Sequence, residues 1–137
     1  MRLNRPRLVL ALEDEDTSSM MAGIFWLKGC DVIKAKSGKD CLEQINKLKS
    51  GIDVVITSSE IAVDRNLEFI RNIKKMNIDI KILVIGDENT DKTRILDYGA
   101  DEYTLKPLSP ENAADKVLML LAREKVADNR SNNVGNT

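Results

Sequence analysis

The chain of 137 residues contains no histidine and only two cysteines. Cys30 and Cys41 lack a CxxC spacing, and without histidine they cannot complete the usual zinc ligand sets. We therefore expect two buried thiols in a reducing cytoplasm rather than a metal site or a disulfide. The absence of histidine also removes the residue that most often acts as a general base in enzymes.

A strong charge of one sign and a long apolar run are missing as well. The chain carries 21 basic and 22 acidic residues, so its net charge of -1 gives no reason to expect binding to nucleic acid or to an anionic membrane. No apolar run approaches the ~20 residues that span a bilayer. The basic first seven residues lack the apolar region and the cleavage site of a signal peptide. These absences predict a cytoplasmic protein.

The length and the composition fit one globular domain, because 42% of the residues are hydrophobic and 31% are charged. Helical periodicity ends near residue 124, and the remaining segment is rich in Asn and has few apolar side chains. Such a composition cannot bury enough surface to offset the entropy of ordering. We predict a flexible N-terminus at 1–6, one domain at 7–123 and a disordered tail at 124–137.

Short runs rich in Val and Ile alternate with segments of helical period along the whole domain. This alternation indicates an α/β fold with a parallel sheet that helices cover on both faces. The third apolar run has no polar alternation, which predicts a central strand. The predicted strands are 7–12, 31–35, 53–57, 81–85 and 102–105, and the predicted helices are 18–28, 37–49, 65–76, 91–98 and 109–123.

The predicted helices carry recognisable ends and apolar stripes. Ser37 and Ser109 stand where N-cap residues are expected, each just before a helical pattern. In the first predicted helix, Met20, Ile24 and Leu27 recur at the spacing of a buried face. The last predicted helix is expected to turn Val117, Leu118 and Leu121 inward.

Unusual polar residues and a glycine follow the predicted strands, at the point where each strand ends. In a parallel sheet these carboxyl ends meet at one edge, where ligands bind. Adjacent carboxylates there can hold a hard cation such as Mg²⁺, and a lysine opposite them can offset the charge of a phosphoryl oxygen. The residues at these ends are Glu13, Asp14, Ser58, Gly86, Asp87 and Lys106.

Three stretches resemble the receiver domain of two-component response regulators, the single-domain chemotaxis regulators among them. They are the acidic pair after the first strand, the segment 35–42 that enters the second helix, and the segment 99–107 with its Lys106-Pro107 dipeptide. The resemblance covers about 7–123. It implies a flavodoxin-like (βα)5 fold with a five-stranded parallel sheet in the order 2-1-3-4-5.

The resemblance also implies roles for individual residues. Glu13 and Asp14 match the metal-binding acidic pair, and the backbone carbonyl of Glu60 matches a further metal ligand. Tyr103 matches the mobile aromatic of the family, and Lys106 matches its phosphate-site lysine. The partners implied are a kinase or a downstream effector, and a homodimer through the predicted fourth helix, fifth strand and fifth helix.

Two positions depart from the family pattern. Ser58 stands where the family has its phosphoacceptor aspartate, and Gly86 stands at the switch position where the family has threonine or serine. A hydroxyl needs a general base to attack a phosphoryl group, and this chain has no histidine. Loss of the third carboxylate weakens Mg²⁺ binding or removes it. We therefore expect an atypical single-domain receiver, not an enzyme, that signals through protein contacts without aspartyl phosphorylation.

Two alternatives remain open from the sequence. The acceptor could be displaced to Asp53 or Asp87, which would retain an Mg²⁺-dependent phosphoreceiver. The chain could also be a small phosphatase of the haloacid dehalogenase type, because Asp14, a strand that ends in hydroxyls and the segment 86–91 resemble the ordered motifs of those enzymes. That second alternative leaves the Lys106-Pro107 dipeptide unexplained.

Overall fold

The structure, a computed structural model, describes residues 5–48, 51–62, 68–106, 109 and 111–122. Its core is one sheet of five parallel strands in the order β2-β1-β3-β4-β5. This order confirms the predicted flavodoxin-like architecture. The strands are β1 at Arg7–Ala11, β2 at Asp31–Ala35, β3 at Val54–Ser58, β4 at Lys81–Gly86 and β5 at Glu102–Leu105.

The described residues form six helices. The predicted fourth and fifth helices are α5 and α6, because a short helix directly after β3 was not predicted. The helices are α1 at Glu15–Leu27, α2 at Gly38–Leu48, α3 at Ser59–Ala62, α4 at Glu68–Met76, α5 at Lys92–Asp97 and α6 over 111–122. None of these described helices is both long and apolar enough to cross a bilayer. Residues 1–4, the start of the third predicted helix at 65–67, and the predicted tail at 124–137 lie outside the described residues.

Helices cover both faces of the sheet, so two apolar cores form. Every residue of β3 is buried, as expected for a central strand with a core on either side. Alternate residues of β3 serve the two cores: Val55 packs with α2 and α4, whereas Val54 and Ile56 pack with α1 and α6. The absence of polar alternation in this strand follows from that double coverage.

The predicted buried face of α1 is wrong for two of its three residues, since only Ile24 packs against the core, and it is partly buried. Met20 and Leu27 are 61% and 82% exposed, while Met21 and Phe25 are buried. The helix has apolar residues around most of its circumference, so periodicity alone allowed more than one buried face. Phe25 is the largest fully buried side chain of the described chain, and burying a phenylalanine ring contributes strongly to the stability of a core.

Both predicted N-caps are confirmed. The Ser37 hydroxyl accepts a hydrogen bond from the Asp40 N–H at 3.0 Å, and the Ser109 hydroxyl accepts one from the Asn112 N–H at 3.1 Å. In α6, Val117 is buried as predicted, but Leu118 is 40% exposed and Leu120 takes the inward position.

The two cysteines are buried free thiols, as predicted. Burial raises the pKa of Cys41 to about 12, and it also raises the pKa of Cys30. Both side chains therefore remain protonated at neutral pH, and a protonated thiol is a poor nucleophile and metal ligand.

Candidate functional site

A cleft of about 380 Å³ opens at the carboxyl ends of the strands. Parallel register brings these ends together, since Ala11 of β1 pairs with Thr57 of β3, and Ser58 pairs with Ile85 of β4. Five residues predicted from the sequence line it, namely Glu13, Asp14, Ser58, Glu60 and Lys106. Leu12, Thr17, Met21 and Ile85 complete the lining and make part of it apolar.

Asp14 caps α1 while it faces the cleft. Its carboxylate accepts hydrogen bonds from the Asp16 N–H at 3.3 Å and from the Thr17 hydroxyl. The hydrogen bond from Thr17 is the main reason that the pKa of Asp14 lies below its usual value, and backbone N–H groups of the first turn lower it further. The acid is therefore ionised at neutral pH, and its oxygens already serve the helix N-terminus.

Ser58 is the last residue of β3, and its side chain is almost fully buried. Its hydroxyl oxygen accepts a hydrogen bond from the Ile61 N–H at 3.3 Å. This bond caps the short helix α3, which satisfies a backbone donor at the point where the strand turns into the helix. The resemblance to receiver domains implies a carboxylate at this position, and the hydroxyl found there instead binds the Ile61 N–H.

Glu60 and Lys106 form an ion pair across the cleft. The Lys106 Nζ lies 2.8 Å from Glu60 Oε1, and both side chains are a little under half exposed. The hydrogen bond from Lys106 is the main cause that lowers the pKa of Glu60, with a smaller contribution from the Ser58 hydroxyl. The sequence pointed to the backbone carbonyl of Glu60, but it is the carboxylate that engages Lys106.

The acidic side chains of the cleft do not build a strong metal site. No group of three or more Asp, Glu, His or Cys side chains is arranged to hold a metal ion anywhere in the described ranges. Asp14 already accepts from the N-terminus of α1, and Glu60 is paired with Lys106. This donor set fits an Mg²⁺ ion poorly, because that ion needs near-octahedral oxygen ligands and a high local negative charge.

Gly86 and Tyr103 lie together beside the cleft rather than in its lining. The Tyr103 ring is buried in the same apolar core as Ile95 of α5, and its hydroxyl donates a hydrogen bond to the Asp87 carbonyl at 2.7 Å. Gly86 ends β4 and is buried under that hydroxyl. The aromatic side chain at the predicted switch position therefore points into the protein.

The two aspartates considered as displaced acceptors lie outside the lining of the cleft. The Asp53 carboxylate accepts a hydrogen bond from the Arg7 N–H at 2.8 Å, at the edge of the sheet where β1 and β3 begin. Asp87 follows β4, and its carboxylate accepts from the Asn89 N–H and the Thr90 hydroxyl in a turn.

Sequence reasoning missed three contributors to this region. Thr17 stands three residues after Asp14, a spacing typical of a helix cap, and that signal could have identified it. Met21 enters the lining because α1 presents a different face from the predicted one. Ser59 packs against Gly86, a contact that depends on the helix after β3 and that no sequence pattern indicated.

Comparison with known proteins agrees with this geometry. Residues 9–118 match the family described as "Response regulator receiver domain". The chain is 30% identical over 118 residues to the Bacillus subtilis "Uncharacterized transcriptional regulatory protein YrkP", a match that covers 85% of this chain and 50% of that protein. It is 25% identical over 129 residues to the Haemophilus influenzae "Transcriptional regulatory protein CpxR homolog", covering 93% of this chain and 56% of that protein. The chain thus spans about half the length of the curated relatives that it matches.

Solved structures show the same fold. A response regulator from Thermotoga maritima superposes with a TM-score of 0.75 at 23% identity, covering 86% of this chain and 98% of that one. A receiver domain protein from Clostridium thermocellum gives a TM-score of 0.78 at 20% identity, covering 89% and 98%. The family match does not support the phosphatase alternative. Because the family match covers most of the chain and the fold agrees, the chain belongs to the response regulator receiver family.

Proposed function

We propose that this chain is an atypical receiver of two-component signalling that works by protein contact without aspartyl phosphorylation. The observation that carries the proposal is Ser58, whose hydroxyl ends β3 in the cleft and caps α3. A receiver forms an acyl phosphate only if a carboxylate attacks the phosphoryl group. A serine in that position supplies no such group.

The surroundings of Ser58 support the same conclusion. A serine nucleophile needs a neighbouring base, and the ionised carboxylate nearest in contact, Glu60, is a weak base because Lys106 lowers its pKa. The positive charge of Lys106 is matched by Glu60 rather than held open for an incoming phosphoryl oxygen. Ser58, Glu60 and Lys106 thus contact groups of the protein itself.

The contacts of such a receiver would be made on the face formed by α5, β5 and α6. On that face Leu105 is half exposed. Tyr98 follows α5, and the guanidinium group of Arg94 in that helix lies 5.7 Å from its ring centroid. Aromatic and arginine side chains are enriched in protein interfaces. We expect a kinase, a downstream effector or a second copy of the chain to bind there, in the cytoplasm.

Incubation with acetyl phosphate and Mg²⁺ tests the central claim. We expect the intact mass of the protein to remain unchanged, because the cleft contains no carboxylate at position 58. A receiver with an acceptor aspartate serves as the reagent control and must gain one phosphoryl group in the same mixture. A stoichiometric adduct on this chain overturns the proposal, and peptide mapping of that adduct would identify an acceptor such as Asp87.

A further inference from the structure

The outer face of α1 is apolar and exposed. Residues 17–27 of this helix carry no charged side chain, although a surface helix normally presents charged and polar residues to water. Met20, Trp26 and Leu27 are 61%, 63% and 82% exposed, while Met21 and Phe25 of the same helix fill the core. Apolar residues around most of the circumference are typical of a helix that is covered on both sides. Within the described part of the chain, only the inner side of α1 is covered.

Gly23 lies at the middle of this exposed face, and the fold gives no reason for a glycine there. A Cβ atom built on it would meet no group outside the adjacent helical backbone within 4 Å. The glycines with positive φ in the described chain are Gly29 and Gly99, so the backbone of Gly23 does not require glycine either. Glycine destabilises a helix interior relative to alanine. Its missing side chain would let a second helix approach closely, since the distance between packed helices depends on the side chains at their contact.

The two ends of the face carry opposite charges. The N-terminal end presents the exposed acids Glu15 and Asp16. At the C-terminal end lie the exposed Lys28 and the guanidinium group of Arg5, which is 4.9 Å from the centroid of the Trp26 ring. A face with an uncharged centre and opposite charges at its ends is complementary to itself, because each acidic end meets a basic end when two copies cross in antiparallel orientation.

We propose that two copies of this chain associate through the outer faces of α1, in antiparallel orientation about a twofold axis that passes near Gly23. Met20 of each copy then packs against Leu27 and Trp26 of the other copy. A contact centred on one helix falls below the ~1,200–2,000 Å² that stable complexes bury, so we expect a reversible dimer with a Kd of roughly 10–500 µM. The face formed by α5, β5 and α6 stays open in this dimer, and the inference does not depend on whether Ser58 accepts a phosphoryl group.

A second copy fits this face better than a lipid surface does. Exposed apolar patches mark either protein contacts or membrane contacts. The acids at the N-terminal end of α1 would be repelled by the negative potential of an anionic membrane, whereas a second copy offers them Lys28.

Trp26 reports on this face directly, because it is the only tryptophan of the chain. Sedimentation equilibrium and Trp26 fluorescence are measured together over protein concentrations of about 5 µM to 1 mM, a range that brackets the expected Kd. We expect a monomer–dimer equilibrium in which the emission moves to shorter wavelength as the dimer forms and the indole ring is buried. A protein that stays monomeric over this range, or a dimer without the shift in emission, would overturn the proposal.

Gly23→Gln separates self-association from the stability of the helix. Glutamine is a better helix former than glycine and enters open space, so the monomer should be at least as stable as the parent. Its side chain blocks the close approach of a second helix, and we expect the Kd of the dimer to rise by roughly tenfold or more. Ile78→Ser removes an exposed apolar side chain elsewhere and is the matched control, with an unchanged Kd. An unaltered Kd for Gly23→Gln would contradict the crossing at this residue.

Charge reversal tests the antiparallel orientation. Asp16 and Lys28 are the positions to change, because the other two end charges already form ion pairs within the chain, Glu15 with Lys34 and Arg5 with Asp31. Asp16→Lys or Lys28→Glu alone brings like charges together twice in a twofold dimer, so each Kd should rise several-fold at low salt. An equimolar mixture of the two variants restores opposite charges at both ends and should associate about as tightly as the parent. A mixture that associates no better than either variant alone would overturn the antiparallel arrangement.

Lipid vesicles test the other occupant of the face. At a concentration at which the monomer predominates, vesicles of phosphatidylcholine and phosphatidylglycerol should leave the Trp26 emission unchanged. A shift to shorter wavelength with vesicles, in a protein that does not self-associate, would identify a membrane-binding face and overturn the proposed dimer.

Discussion

At position 58 a neutral hydroxyl stands among charged groups. The lining of the cleft contains three acidic residues and one basic residue, namely Glu13, Asp14, Glu60 and Lys106. A further carboxylate at this position would add repulsion between acids, which a bound divalent cation would relieve. The residue at position 58 therefore affects how tightly the cleft binds a divalent cation.

Ser58→Asp is expected to tighten Mg²⁺ binding. A carboxylate within about 4 Å of a cation contributes about 1 kcal/mol for each unit of charge on the ion, even at the dielectric constant of water. We therefore expect the Kd for Mg²⁺ to fall by roughly tenfold or more, as measured by titration calorimetry. The neutral Ser58→Asn variant is the matched control and should leave the Kd unchanged. An unaltered Kd for Ser58→Asp would mean that Glu13 and Asp14 do not act on this position.

At the scale of one element, α1 shows how a residue of the cleft also stabilises the start of a helix. Asp14 caps the helix, and Glu15 and Asp16 add negative charge to its first turn. The same helix places Thr17 and Met21 in the cleft lining. The shape of the cleft and the stability of α1 are therefore linked through Asp14.

Asp14→Ala should lower the thermal unfolding midpoint by a few degrees at neutral pH, because the first turn of α1 loses its cap. The pKa of Asp14 is lowered in the folded protein, so its contribution is present above the unfolded pKa and is lost as the pH falls through the folded pKa. The difference between the two proteins should begin to narrow as the pH falls below 3.8, the ordinary pKa of an aspartate. Glu13→Ala, which changes a neighbouring acid in the same cleft, should have little effect; an equal loss there would contradict the capping role.

The accuracy of prediction also varies from element to element. β5 and the caps at Ser37 and Ser109 could be predicted because their signals lie within a few adjacent residues. The buried face of α1 could not, since its apolar residues surround the helix and only the neighbouring helices select Phe25. The contact between Gly86 and Tyr103 depends on the pairing of β4 with β5, which joins residues distant in sequence.

Within the site, the contact of the Glu60 carboxylate also could not be predicted from local sequence patterns. Its role as the partner of Lys106 requires α3 to begin directly after β3, and that helix was not predicted. The residue was identified because it follows the acceptor position, but for its carbonyl rather than its side chain. Sequence spacing indicated which residues meet at the edge of the sheet, whereas the side-chain pairing required the conformation of the connecting segment.

At the scale of the whole molecule, a single sheet joins two apolar cores. Phe25 belongs to the core with α1 and α6, and Ile70 belongs to the core with α2 and α4. The strands between them contribute side chains to both cores, so neither core can come apart without exposing the sheet. The described domain should therefore unfold as one cooperative unit.

Phe25→Ala should destabilise the protein by ~3–5 kcal/mol and Ile70→Ala by ~2–5 kcal/mol, because each leaves a cavity in a buried core. Denaturant unfolding followed by Trp26 fluorescence and by far-UV circular dichroism should give coincident transitions in both variants. Leu27→Ala, at a highly exposed site on α1, is the control and should stay within about 0.5 kcal/mol of the parent. Separate transitions for the two probes would show that the cores are independent.

Within the ion pair, the Glu60 carboxylate competes with dissolved anions for the ammonium group of Lys106. A carboxylate tethered 2.8 Å from the ammonium group acts on it at a high effective concentration, whatever the concentration of anions in solution. A dissolved phosphate or carboxylate can reach Lys106 only by displacing Glu60, and each exchange replaces one anionic partner with another. Lys106 should therefore bind a dissolved anion more weakly than an unpaired lysine would, and salt that screens this partly exposed pair should reduce the difference.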